Sequence, residues 1–313
     1  MSQFRGEFSG QKTYLNGTKA SSGKTSVSCE LDLFTIEEPA SQVNYTSDQS
    51  GVLGLGPDSE FNEPNINLVT RLNQLHQTKE IVLYNITFTG EHNREVDHGK
   101  SYVQIGDYNQ ALKPNFTMNV AEHNRKYSNM VDRAMISTVN PSGNFPIEEY
   151  NGTLAIFDPA VDYLHMNEIS FTPFVNVLKG IYDTNITCNE EFCHFNVTCD
   201  LVTKHNATID IALGKSLMDD RNIELNLEDY MYNDVNPMTG KGNVCIYPVF
   251  RMDAGVDADA FMTLFMGNMF LNRYMVLHHN EFLLGQTLAY VGIYDKVDPT
   301  KNPSALQQEA NFL

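Results

Sequence analysis

Apolar and polar residues alternate along Thr208-Ile209-Asp210-Ile211-Ala212-Leu213 and stop at Gly214, a period of two that predicts a half-buried strand ending in a turn. Apolar, β-branched and aromatic runs predict further strands at residues 81–88, 154–157 and 288–293. Residues 68–76 carry their apolar positions at helical spacing and predict a helix. His278 and His279 fall between two strand candidates and read as a turn. Adjacent side chains on extended backbone point to opposite faces, so the two do not form a ligand pair.

A chain of 313 residues can bury a substantial core in one large domain or two lobes, and 42% hydrophobic with 19% charged residues argues against disorder. Apolar runs stay short of the roughly 18 residues that a membrane-spanning helix needs. The formal charge of −18 argues against nucleic acid as a partner, because such binding rests on clustered Lys and Arg. An acidic balance suits a protein that works at low pH, and equally a merely soluble acidic surface.

Candidate chemistry centres on Gly152-Thr153-Leu154-Ala155-Ile156-Phe157-Asp158-Pro159-Ala160-Val161-Asp162-Tyr163-Leu164, an apolar strand that delivers an aspartate into a loop. The segment resembles the catalytic loop of the pepsin-like aspartic peptidases, in which such a strand delivers Asp-Thr/Ser-Gly-Thr/Ser. Here Pro159, Ala160 and Val161 stand where Thr, Gly and a second hydroxyl residue belong. In that chemistry two carboxylates about 3 Å apart share one proton, so that one acts as base on water and the other as acid. Neighbouring hydroxyls and a glycine hold the pair, and proline offers neither a hydroxyl nor an N–H. The chain contains no Asp-Thr-Gly or Asp-Ser-Gly; the nearest string, Asp253-Ala254-Gly255, lies in a polar stretch that reads as a loop.

Further landmarks of the same family follow in order. Gly51-Val52-Leu53-Gly54-Leu55-Gly56-Pro57 is similar to the segment behind the first catalytic loop, and Tyr102-Val103-Gln104-Ile105-Gly106-Asp107-Tyr108 to the crossing between lobes, with one glycine lost. Leu227-Glu228-Asp229-Tyr230-Met231 matches an Asp-Tyr element. Leu264-Phe265-Met266-Gly267-Asn268-Met269-Phe270-Leu271 resembles the Leu-Gly-Asp segment that packs against the second catalytic loop, with Asn268 in place of its aspartate. Met262, Met266, Met269 and Met275 then fall where the resemblance predicts core. Phe4-Arg5-Gly6-Glu7-Phe8-Ser9-Gly10 falls about where the flap hairpin would be, without the flap Tyr-Gly, and residues 121–150 read as an insertion.

The resemblance implies a mainly β, bilobal pepsin-like acid-protease barrel with a few short helices. Residues 1–108 would be an incomplete N-terminal lobe, from the flap region to the inter-lobe crossing. Residues 109–297 would be a C-terminal lobe with the degenerate loop, and 298–313 a polar, disordered tail. It also implies a bridge between Cys199 and Cys245, which bracket the strand at 208–213, while Cys188 and Cys193 would close a small loop and leave Cys29 unmatched. The competing reading makes Cys188, Cys193, His194 and Cys199 a zinc site, against which the irregular spacing speaks. Eight Asn-x-Ser/Thr sequons are glycosylation candidates: Asn16, Asn44, Asn85, Asn115, Asn151, Asn185, Asn196 and Asn206. They point with the cysteines to the secretory pathway, and the resemblance implies a secreted or lysosome/vacuole-like location, although no signal peptide is visible at Met1-Ser2-Gln3-Phe4-Arg5-Gly6.

Two functions follow from the resemblance. In one, the chain is a pseudo-protease, a monomer without cofactor, metal or membrane span, whose inter-lobe cleft takes an extended peptide or protein ligand. In the other it is an active aspartic endopeptidase, with Asp158 as the surviving member of a dyad whose first aspartate lies outside this chain. The lost Thr and Gly favour the former. Asp162, four residues on, approaches Asp158 only if the loop folds unusually.

Overall fold

The computed structural model describes residues 6–19, 23–36, 80–85, 102–105, 117–120, 128–214, 221–236, 240, 242–252, 263–283 and 286–296. The expected helix at 68–76, residues 51–57, Asp253-Ala254-Gly255, Met262 and the tail from 298 lie outside them. In chain order the elements are β1 (Gly6–Lys19), β2 (Gly23–Ile36), β3 (Glu80–Asn85), β4 (Tyr102–Ile105), β5 (Thr117–Val120), β6 (Ser128–Val139), β7 (Ser142–Pro146), β8 (Leu154–Phe157) and β9 (Leu164–Met166). After helix α1 (Glu168–Tyr182) come β10 (Ile186–Cys188), β11 (Phe192–Phe195), β12 (Thr208–Leu213), β13 (Arg221–Asn226), β14 (Tyr232–Val235), β15 (Asn243–Arg251) and β16 (Thr263–Met266). Helix α2 (Asn268–Arg273), β17 (Tyr274–Leu283) and β18 (Gln286–Asp295) follow. The protein is mainly β with few short helices, as the resemblance implies.

The largest sheet runs β10-β11-β15-β9-β16-β8-β6-β12-β13, with β14 on β15 and β7 on β6. At its centre the short β9 lies between β15, to which it is parallel, and β16, to which it is antiparallel; β16 in turn runs parallel to β8. These central strands are largely buried, which is why β8 reads as an unbroken apolar run and β16 carries Leu264, Phe265 and Met266 after its buried Thr263. A second sheet, β4-β3-β17-β18-β5, joins strands from either side of residue 108, and β1 pairs with β2 as a hairpin. The Tyr274 hydroxyl ties the two larger sheets, donating to the Glu224 carbonyl at 2.9 Å and accepting the Glu224 N–H at 2.7 Å.

Of the segment read as an insertion, the described residues 128–150 are built into the large sheet rather than added outside it. β6 pairs with β7, β8 and β12 and buries Val131, Ala134 and Ile136. Helix α1 is an element that the apolar pattern does not predict, although its signals are present. Asn167 caps its start, accepting from the Ser170 N–H at 3.2 Å, and Phe171, Phe174, Val175, Leu178 and Tyr182 form its buried stripe. The same Asn167 oxygen accepts the Ser170 hydroxyl and the Thr263 N–H, so this fully buried cap also anchors β16. Met266, Met269 and Met275 are all buried, as core packing requires.

His278 and His279 are not in a turn. Both lie inside β17, whose ladders to β3 and β18 run through them. Polarity alone is a poor guide here: neighbouring strands complete the ladder, so a histidine is tolerated on the inward face. The two side chains do part as extended backbone requires. His278 is completely buried, while His279 is half-buried against Tyr290.

Candidate functional site

β8 delivers Asp158 into the expected loop, where the Asp158 N–H donates to the Met266 carbonyl at 3.1 Å. Its carboxylate then folds back on its own turn. Oδ1 accepts the Ala160 N–H at 2.8 Å, two residues on, in the manner of an Asx turn, and the Val161 N–H meets the Asp158 carbonyl at 3.4 Å. Pro159 contributes no donor.

The rest of the loop docks on the start of α2. Carbonyls of Val161 and Asp162 accept the N–H groups of Asn268 and Met269 at 2.8 and 2.9 Å, which satisfies donors that a helix start leaves open. The Asn268 side-chain amide donates to Asp162 Oδ1 at 2.9 Å. Gly267 permits this approach: a Cβ there would stand 2.3 Å from the Tyr163 carbonyl oxygen and 2.6 Å from that of Val161. One oxygen of Asp162 is thus tied to Asn268, and one oxygen of Asp158 to its own turn.

Four rings line up beside the loop. Tyr163 stacks on Tyr232 at 5.2 Å with planes 12° apart, Phe250 lies 5.5 Å from Tyr163, and His165 stacks on Phe250 at 5.4 Å. β9, β14 and β15 bring the four together, and each ring is half-buried. Carboxylates surround them. Burial lowers the His165 imidazole below its ordinary range, while Asp162 and Asp158 pull the other way. Burial, together with Asp234 and Asp162, pushes the Tyr232 phenol up to about 12. Sequence patterns do not reveal this ladder, whose partners are up to 87 positions apart; its only local trace is the spacing of Tyr163 and His165.

Four of the five cysteines are bonded in pairs, Cys188–Cys193 and Cys199–Cys245, which removes the thiolates a zinc site would use. His194 beside them is buried against Phe192, and among the described residues no group of three His, Cys, Asp or Glu is placed to hold a metal ion. Cys29 lies in β2. Glu228, itself buried, holds the turn before β12: it accepts the Tyr182 hydroxyl at 2.6 Å and the N–H groups of His205 and Asn206 at 2.8 and 2.9 Å. The sequon residues Asn151, Asn185, Asn196 and Asn206 are all exposed. Asn16 and Asn85 lie in β1 and β3, and Asn44 and Asn115 outside the described residues. A groove of about 370 Å³ between β7 and α1, lined by Phe145, Pro146, Pro173 and Val177, takes no residue from the Asp158 loop.

No family model matches this chain, and no curated protein matches its sequence. Among solved structures it is similar to basic 7S globulin from soybean, with a TM-score of 0.60 and 15% identity over 93% of this chain and 68% of that one. The likeness shows an aspartic-protease-like fold. Membership of the pepsin-like peptidase family, which the motif order suggests, does not stand, because no family model supports it. The physical reason is that the landmarks within the described residues, such as β8, β12, β16 and Gly267, are core strands and a close-packing glycine, which a fold demands whatever chemistry its loops carry. Among the described residues no helix is long and apolar enough to cross a membrane.

Proposed function

We infer that this chain is a non-catalytic binding protein on an aspartic-protease-like scaffold, and that it takes a basic, extended segment of a peptide or partner protein along the ring ladder beside Asp158. The observation that carries the reading is the hydrogen bond from the Ala160 N–H to Asp158. General acid–base work on water needs a carboxylate poised toward the substrate and a second group to share its proton. Asp158 is turned into its own loop, and Asp162 is clamped by Asn268.

The surroundings favour a cationic ligand. Tyr163, Tyr232 and Phe250 offer aromatic surface, and Asp158, Asp162 and Asp234 bring negative charge to it. A Lys or Arg side chain gains from both, by contact with a ring face and by pairing with carboxylate. The ligand would be read in extended conformation, as sheet-built surfaces read their peptides.

Titration calorimetry with short lysine- or arginine-containing peptides, set against glutamate-containing counterparts, tests the binding. The basic set is expected to bind, weakening at least tenfold in Tyr163→Ala and in the double variant Asp158→Asn, Asp162→Asn. Incubation with denatured haemoglobin or casein from acid to neutral pH is expected to leave the substrate intact. Pepstatin-sensitive cleavage that Asp158→Asn abolishes would overturn the non-catalytic reading, and equal affinity for the acidic peptides would overturn the ligand class.

A further inference from the structure

Three large apolar side chains stand exposed around one disulfide: Leu201 at 68%, Val235 at 50% and Val197 at 42%. Cys199 and Cys245 form the bridge, and Cys245 donates its N–H to the Val197 carbonyl at 2.8 Å. Cys199 donates its N–H to the Asn233 side chain at 2.7 Å, which brings in β14 and Val235. Leu201 closes a turn onto the Thr198 carbonyl. Exposed aliphatic side chains held this close to one bridge offer a surface that a covering group can bury.

Asn196 lies at its border, next to Val197, and opens the sequon Asn196-Val197-Thr198. Its side chain is exposed, with Nδ2 3.5 Å from the Thr187 hydroxyl. We propose that Asn196 carries an N-linked glycan whose first sugars lie over Val197, Leu201 and Val235. Sugar rings present apolar C–H faces as well as hydroxyls, so one glycan covers aliphatic side chains and keeps the outer surface wet. The co-reactant is a polyprenyl-pyrophosphate-linked oligosaccharide. The bond from anomeric carbon to pyrophosphate oxygen breaks, a bond to Asn196 Nδ2 forms, the amide gives up one proton, and the polyprenyl pyrophosphate leaves. The two disulfides fit the oxidising compartment in which this transfer occurs.

Translation of the full chain behind a cleavable leader in the presence of microsomes reads the modification without requiring secretion. Thr198→Ala is expected to remove one glycosidase-sensitive mass step, and peptide mapping to find Asn196 converted to Asp on enzymatic release. An unmodified Asn196 in chains whose other sequons are occupied would overturn the proposal. Glycosidase treatment of the folded, purified glycoprotein then tests the cover. Binding of a hydrophobic dye is expected to rise about twofold or more, and not to rise in the variant Val197→Thr, Leu201→Ser, Val235→Thr. No rise in the unsubstituted protein would show that the sugars lie elsewhere.

Discussion

The Asn268 side-chain amide and Oδ1 of Asp162 meet at 2.9 Å across 106 positions of sequence, pinning the loop that follows Asp158 to the first turn of α2. Asn268 stands where the resembling segment has an aspartate, and the contact gives that change a physical sense. An aspartate at 268 would set one carboxylate against another.

Asn268→Asp is therefore expected to destabilise the protein by about 1 kcal/mol at neutral pH, from a lost hydrogen bond and a like-charge contact that solvent partly screens. The penalty should fade as the solution is acidified and one of the carboxylates takes up a proton. Adding Asp162→Asn should restore most of the loss. Urea denaturation midpoints of the two variants and the parent, taken at neutral and acid pH, check each step.

Gly267→Ala is expected to do more harm. The added Cβ meets backbone carbonyls of Tyr163 and Val161 rather than a movable side chain, so the loop or α2 must shift. Overpacking of this kind costs about 3 kcal/mol or more when the neighbour cannot yield. A thermal scan should show the fall, and basic-peptide binding should weaken with it, because Tyr163 anchors the ring ladder.

His278 makes the fold sensitive to acid. Burial alone pushes its imidazole down from the ordinary 6.5 to about 3. Its register partners are Val82 on β3 and Val291 on β18. The neutral ring's contribution is fully present above about pH 6.5. Below that the unfolded chain takes up a proton that the folded chain refuses, and stability is lost as the pH falls toward and through 3. The full span amounts to on the order of 5 kcal/mol. The difference in unfolding free energy between His278→Leu and the parent, followed from neutral pH to about 4, should change in the variant's favour on acidification. A difference independent of pH would show that the ring is not held neutral. Such a group disfavours long residence in a strongly acidic compartment, whatever the acidic composition suggests.

Strands carried by strict local patterns are legible in the sequence alone. Thr208–Leu213 alternates and ends at a glycine, Leu154–Phe157 is unbroken, and both form as that pattern predicts. Where polarity and burial disagree, the pattern misleads. His278 is polar yet wholly buried, and β6 looks like part of an insertion although its Val131 and Ile136 lie in the core. Helix α1 escapes the sequence pattern although Asn167 and its apolar stripe announce it, because Pro173 and five β-branched residues lower its local propensity.

By itself the sequence determined that the chain would be mainly β, which apolar runs had to be inside, and that the groups expected beside Asp158 are replaced. Those follow from side-chain chemistry and the period of the backbone, which act over a few residues. Tertiary structure decided what Asp158 and Asp162 bind, that Gly267 is needed where the loop meets α2, and that Tyr163, His165, Tyr232 and Phe250 make one ladder. Such contacts join positions tens of residues apart, and only strand order brings them within reach. Nothing in the local pattern of Tyr163 points to Tyr232; β15 does, by pairing with β14 and then β9 in succession along one edge while β11 takes the other.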